Sequence, residues 1–288
     1  MRKKQDAFSQ FHPMINFLYF LFVIGAAVII QHPVYVLTGC VSGAVYLICL
    51  QGRKGWRFLL GTLPLLLILT ALNPLFNTAG SHILFYVFGR PYTGEALLYG
   101  SVIGGILVGT LLWFGCYQEV LTSDKFLYLF GTRIPALSLL LTMIFRLVPN
   151  FLRRGREIYA ARTAVGKGEK NLKEGLSVMS ALTSWALEGS IITSDSMASR
   201  GYGTGKRTGF HRYAWEIRDW VTAIFLILAI GFFFALGDTK AAFTPQFSCA
   251  PITIKTGIGL IAYAFIGFLP AILHSKEVLM WHIYKWKI

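Results

Sequence analysis

Two short stretches set an arginine and then a glycine at the apparent end of a helix. Residues 160–166 read Ala-Ala-Arg-Thr-Ala-Val-Gly, and residues 197–203 read Met-Ala-Ser-Arg-Gly-Tyr-Gly. A guanidinium there carries a planar fork of donors that meets a carboxylate with two bonds, a geometry lysine does not reproduce. The plainer explanation is that a cation near a helix C-terminus complements the backbone dipole, by about 0.3–1 kcal/mol. Two such arginines, Arg162 and Arg200, both carried between apolar spans, shift the weight toward recognition of an acidic partner. Arg200 has little like-sign company on its own helix, so simple solvation accounts for it less well.

Other chemistries fit poorly. Gly201-Tyr202-Gly203-Thr204-Gly205-Lys206-Arg207 suggests a phosphate loop, but its spacing is Gly-x-x-x-Gly-Lys. Arginine stands where Ser or Thr would hold magnesium, and a helix rather than a strand precedes it. The six histidines, at 12, 32, 82, 211, 274 and 282, show no metal-ligand spacing. Cys40, Cys49, Cys116 and Cys249 include no Cys-x-x-Cys pair, and three lie in apolar spans where cysteine acts as a small hydrophobe. Acidic residues are almost absent from the spans: Glu119, Glu95 and Asp238 fall at their ends. A self-powered carrier ordinarily needs ionisable groups at mid-membrane. The expectation is therefore no catalytic residue, no metal site, no cofactor bound by this chain, and no energy source of its own.

The elements that position these arginines follow from composition. The 288 residues are 55% hydrophobic and only 14% charged, with a mean hydropathy of +0.58. A soluble domain carries about a quarter charged residues, so the apolar excess belongs in lipid. Six spans are expected, at about 14–31, 33–50, 56–73, 96–118, 220–237 and 255–273. Lipid gives backbone groups no other partner, so each must be helical. Met1-Arg2-Lys3-Lys4 leads into a full-length span without a small-residue cleavage site, which reads as a retained segment rather than a leader. The net charge of +14 reflects sidedness rather than nucleic acid, for no nucleic-acid motif accompanies it. Short-loop Lys and Arg number nine (Arg2, Lys3, Lys4, Arg53, Lys54, Arg57, Lys276, Lys285, Lys287) against three (Arg90, Lys240, Lys255). That bias puts both termini in the cytoplasm, together with residues 123–219 and their fifteen further cations. The opposite-side stretch 74–95 reads as either a hairpin or a short interfacial helix.

Within 123–219, residues 137–148 are apolar but lie between Arg133-Ile-Pro135 and Arg146 to Pro149. Twelve residues are too few to span, which predicts a buried or interfacial helix, with Pro149 opening a second one. That second helix carries Arg153, Arg154, Arg156 and Arg162, with Glu157 spaced to pair with Arg153, and stops at Val165-Gly166-Lys167-Gly168. Asn171 with Glu174 resembles a capping box for a long amphipathic helix reaching Arg200. Gly201 stands where a C-cap glycine belongs, and residues 202–209 form a glycine-rich loop.

These residues together resemble the transmembrane T component of energy-coupling-factor (ECF) transporters, the CbiQ-like family. The resemblance covers most of the chain. It rests on His12-Pro13 before the first span, Asn73-Pro74-Leu75-Phe76 after the third, Arg146-Leu147-Val148-Pro149 at the start of the basic helix, and above all the two Ala-Arg-Gly-like motifs. It implies an all-α polytopic membrane protein of a prokaryotic cytoplasmic membrane, with transmembrane helices 1–4 in residues 1–122. Coupling helices would occupy 123–219, helices 5–6 would occupy 220–273, and 274–288 would be a cytoplasmic tail. It further implies a non-enzymatic subunit of an ATP-driven importer of a vitamin or a transition-metal ion such as cobalt or nickel. This subunit would join a substrate-binding membrane S component to two cytoplasmic ATP-binding-cassette subunits, which use ATP and magnesium. The second motif departs from the family pattern by reading Ala198-Ser199-Arg200-Gly201. The first reads Ala164-Val165-Gly166 when aligned on its glycine, or Ala161-Arg162-Thr163 when aligned on its arginine. Arg162 and Val165, three residues apart, share a helix face. The reading from another class is a membrane-embedded enzyme or an autonomous permease.

The charge bias makes a topological prediction. Single cysteines at Thr204 and Ser275 should be protected from an impermeant external thiol reagent in whole cells, and one at Tyr86, in the opposite-side stretch, should react. The reverse pattern would invert the topology.

Overall fold

A proline opens each of the first two helices, α1 (Pro13–Ile29) and α2 (Pro33–Gln51). At that position the missing N–H has no intrahelical acceptor in any case. Gly52, at φ 56°, then turns the chain directly into α3 (Arg53–Phe76). The computed structural model describes residues 8–77, 83–87, 90–131, 135–166, 171–202, 213–236, 241–242, 248–249 and 254–286. The remaining helices are α4 (Gly94–Val120), α5 (Ser123–Gly131), α6 (Pro135–Ala164), α7 (Leu172–Ser199), α8 (Ile217–Leu236) and α9 (Ile254–Trp286). The architecture is that of an all-α polytopic membrane protein. Among the described residues, α2, α3, α4, α6, α8 and α9 are long and apolar enough to cross a membrane, judged on length and composition alone. The apolar α1, at 17 residues, rises about 25 Å, the short end of what a crossing needs.

The chain divides into two compact units, residues 1–122 with 213–288, and residues 123–212. In the first, α4 packs on α1, α2 and α3, while α9 packs on α2 and α8. Small residues let α2 and α4 approach closely. The Trp113 indole N–H donates to the Gly39 carbonyl at 3.1 Å, and the Cys40 thiol to the Gly105 carbonyl at 3.1 Å. A Cβ on Gly43 would stand 3.2 Å from Trp113 Nε1, and one on Gly39 would stand 2.9 Å from the Tyr263 hydroxyl. Trp113 is fully buried among Tyr19, Phe20 and Tyr46. The Tyr19 hydroxyl crosses to the Ile266 carbonyl, and that of Tyr35 to the Thr256 carbonyl.

A polar clamp closes one end of this unit. The His12 backbone N–H donates to Asp219 Oδ1 at 3.4 Å, and the Glu216 N–H donates to Oδ2 at 3.1 Å. The His12 ring caps α1 by accepting the Met14 N–H and stacks on Trp215 with centroids 4.2 Å apart. Burial holds its pKa below the usual histidine value against the opposing pull of Asp219. Arg218 lies over Phe11 and donates to the Gln10 carbonyl.

Several expectations are corrected. Pro149 lies inside α6, which is one 30-residue helix, so it does not start a second helix, and residues 137–148 are not a separate twelve-residue helix but part of one long and apolar enough to cross a membrane. Proline removes one backbone bond and crowds the preceding turn, but the sequence on both sides is otherwise helix-forming. Pro64, Pro74 and Pro270 likewise lie within helices, as spans tolerate when neighbours re-satisfy the backbone. Residues 73–76 form the last turn of α3 rather than following it. The described part of 274–288 continues α9 as far as Trp286. Of the two forms open for 74–95, the hairpin is found: β1 (Ile83–Val87) pairs antiparallel with β2 (Arg90–Thr93). A second small ladder joins β3 (Ala241–Ala242) to β4 (Ser248–Cys249). Residues 1–7, 132–134, 167–170 and 203–212 lie outside the described residues, and with them the N-terminal cations, Arg133, Lys167-Gly168 and most of the glycine-rich loop.

The α3–α4 contact yields a prediction. A Cβ on Gly100 would stand 2.7 Å from Asn73 Cβ and 2.9 Å from the Thr70 carbonyl oxygen, whereas one on Gly61 meets nothing within 4 Å. Gly100→Ala should lose about 1–3 kcal/mol through overpacking, and Gly61→Ala should gain about 0.5–1 kcal/mol through helix propensity. Thermal unfolding of the detergent-solubilised chain should rank them in that order. Equal midpoints would mean that close approach at Gly100 does not matter.

Candidate partner-coupling site

Both arginine motifs fall in the second unit, on α6 and α7. These helices run antiparallel. Phe151 meets Trp185 edge-on at 5.7 Å, Arg154 lies over the same indole at 5.8 Å, and Gly155 leaves room for Leu182. The face of α6 bearing residues 151, 155, 158 and 162 therefore meets the face of α7 bearing 174, 182 and 185. Arg162, in the last turn of α6, closes the pair. Its Nε and Nη2 both donate to Glu174 Oε2, at 2.9 and 2.6 Å.

The two helix ends share one geometry. After Ala164 come Val165 and then Gly166 at φ 78°. After Ser199 come Arg200 and then Gly201 at φ 72°. The Gly166 N–H returns to the Thr163 carbonyl and the Gly201 N–H to the Ala198 carbonyl, each at 3.0 Å. The Tyr202 N–H reaches the Met197 carbonyl at 3.1 Å, which completes a Schellman cap. Glycine fits both left-handed positions because it has no Cβ to clash. Superposing the caps aligns the glycines and sets Val165, 75% exposed, opposite Arg200. Arg162 stands one turn earlier.

The two arginines differ in availability. Arg200 is an exposed C-cap residue, not a last-turn residue as the sequence suggests. Among the described residues its guanidinium has no hydrogen-bond or ion-pair partner. Its neighbour Ser199 turns its hydroxyl back to the Asp195 carbonyl at 2.8 Å, and Ala198 is exposed. Arg162, flanked by the exposed Ala161 and Ala164, is instead held by Glu174. From Glu174 to Arg200 is 26 residues of continuous helix, so the two arginines lie about 40 Å apart at opposite ends of α7.

Sequence reasoning misplaced two nearby pairs. Glu157 pairs with Arg154 at 3.0 Å rather than with Arg153, whose Nη2 donates to Asn150 Oδ1. Both spacings are helical neighbours, and Arg154 is the one turned toward Trp185. Asn171 does precede α7, but its side chain makes no cap hydrogen bond, and the Glu174 carboxylate faces Arg162. The capping box is therefore not formed. The Arg162–Glu174 pair was missed, although opposite charges 12 residues apart across a glycine turn signal a helical hairpin.

Among the described residues, no three His, Cys, Asp or Glu side chains converge where a metal could sit. A cavity of about 10 Å³ beside Tyr35, Cys40, Gly105 and Tyr263 in the first unit has room for one water. No protein-family model matches this chain, and no curated protein matches it in sequence.

The cap at Gly201 should be the feature that holds Arg200 in place. Gly201→Ala forces a Cβ into the left-handed region at a cost of about 1 kcal/mol. Amide exchange at residues 200–202 should quicken about fivefold, with no change around Trp185. Unchanged exchange would show that the left-handed cap does not order the arginine.

Proposed function

We propose that this chain is the non-catalytic transmembrane T component of an ECF-type importer. In that role it couples ATP hydrolysis by two cytoplasmic ATP-binding-cassette subunits to movement of a membrane S component that binds a vitamin or transition-metal ion. One observation carries the reading: α6 and α7 end in like glycine caps about 40 Å apart, and on one of them Arg200 has no side-chain partner among the described residues. Two separated ends suit two receiving subunits, and an uncompensated guanidinium suits carboxylates on one of them. α7 buries none of its own residues. Leu172, Leu176, Met179, Leu187 and Ile191, all at least 60% exposed, fall on one face opposite α6, an apolar surface fitted to a membrane partner. In this reading residues 123–219 and both termini face the cytoplasm of a prokaryotic cell, ATP and magnesium act only in the partner subunits, and no nucleic acid takes part.

Arg200 is assigned the principal contact, supported by the backbone of Ala198, Ser199 and Gly201. Arg162 is assigned a lesser one, because Glu174 already occupies it and Val165 stands at the matching cap position. Losing a charge-assisted contact at a desolvated interface costs about 2–5 kcal/mol. Arg200→Glu should therefore abolish ATP-driven uptake by the reconstituted complex, and Arg200→Lys should be intermediate. Arg162→Gln should be milder than either. Near-wild-type coupled transport by Arg200→Glu would reduce the arginine to a dipole-complementing helix end. ATP-independent accumulation of substrate in vesicles holding this chain alone would overturn the reading in favour of an autonomous permease.

A further inference from the structure

The outward face of α3 is built like a lipid site from end to end. Arg53, Trp56, Arg57, Leu60, Leu63 and Leu67 stand at i, i+3, i+4, i+7, i+10 and i+14, which is one helix face. All six are exposed, with Trp56 at 53% and Leu67 at 65%. The opposite face is the one that packs: a Cβ on Gly55 would stand 2.6 Å from the Leu47 carbonyl oxygen, Thr62 is buried, and Leu59 and Leu66 join the core. The chain therefore keeps one whole side of this apolar helix turned outward and sorts it by chemistry, with cations first, then an indole, then leucines.

The cations need an explanation. Arg53, Lys54 and Arg57 open α3, whose first turn holds no acidic residue, and the helix dipole disfavours positive charge there. Among the described residues none of the three has a hydrogen-bond or ion-pair partner. The nearby Glu119 carboxylate accepts from Gln51 Nε2 at 3.1 Å. Among the described residues no carboxylate pairs with these charges, and the surface that continues from them is hydrocarbon.

We propose that this face binds an anionic phospholipid. Arg53 and Arg57 hold the headgroup phosphate with Lys54 flanking, Trp56 lies at the interfacial level where indoles concentrate, and one acyl chain runs along Leu60, Leu63 and Leu67. The order of residues along the helix matches the order of groups along a lipid. The inference goes beyond the proposed transport role and does not depend on it.

The test uses the full chain in phosphatidylcholine vesicles doped with phosphatidylglycerol brominated on its acyl chains, with brominated phosphatidylcholine as the reference. Bromine quenches a tryptophan it touches, and the difference between wild type and Trp56→Phe isolates the signal of Trp56. That signal should be half-quenched at about tenfold lower mole fraction of the anionic lipid than of the neutral one, from the attraction of two basic residues to anionic headgroups. Arg53→Gln with Arg57→Gln should erase the preference while leaving the thermal midpoint unchanged. Arg153→Gln with Arg156→Gln, which removes two cations elsewhere, should leave the preference intact. Soluble glycerol phosphate in excess should not relieve the quenching, because the chain contacts require the intact lipid. Equal quenching by both lipids, an unchanged preference in the Arg53/Arg57 variant, loss of preference in the Arg153/Arg156 variant, or full relief by glycerol phosphate would each overturn the site.

Discussion

The structure depends on how closely α2 approaches α4. Helices already in lipid gain nothing by burying leucine against leucine, so association rests on packing and on a few hydrogen bonds in hydrocarbon. Gly43, Gly105 and Gly109 remove side chains along that contact, and Trp113 donates its indole N–H across it to the Gly39 carbonyl. An unpartnered indole there would carry a buried donor. The same few residues therefore set the helix spacing and orient the aromatic cluster of Tyr19, Phe20 and Tyr46. α1 and α3 also pack on α4, and α9 packs on α2.

The second unit is organised differently. α6 and α7 meet along one seam of aromatic, small and charged residues, and the rest of their surface stays open. Charge is treated unequally along it. Arg162 is paired across the turn, Arg154 is engaged by Trp185 and Glu157, and Arg200 at the far end has no side-chain partner among the described residues.

Much of this was legible before the structure, for identifiable reasons. Five of the expected spans announce themselves as long apolar helices because lipid permits only helices, whereas α6 was not read as one and α1 is shorter than the rest; Gly201 was readable as a cap because glycine after an amphipathic run is a local signal. The errors arose where a local rule met a competing context. Pro149 is a helix-starter by rule, yet α6 runs through it. Glu157 had two helical neighbours, and packing on Trp185 favoured Arg154. Asn171 and Glu174 had the capping spacing, but a guanidinium from another helix claimed the carboxylate. The clamp of His12, Trp215 and Asp219 was beyond local reading altogether, since its partners are 207 residues apart and nothing in either stretch points to the other.

That clamp has a consequence for how the chain is made. The residues that secure the first helices are among the last to leave the ribosome. His12 awaits Asp219, Tyr19 awaits Ile266, and Tyr35 awaits Thr256. Until α8 and α9 are inserted, the earlier helices carry hydroxyls and a histidine backbone group whose final partners do not yet exist. Closing so long a loop costs little more entropy than closing a moderate one, about 0.6 kcal/mol per doubling, so the delay is one of timing rather than of equilibrium. The α2–α4 seam lies wholly within the early part of the chain, whereas these three bonds need α8 or α9. A chain cut short before α9 would keep the His12–Asp219 clamp and lack the carbonyls that Tyr19 and Tyr35 reach.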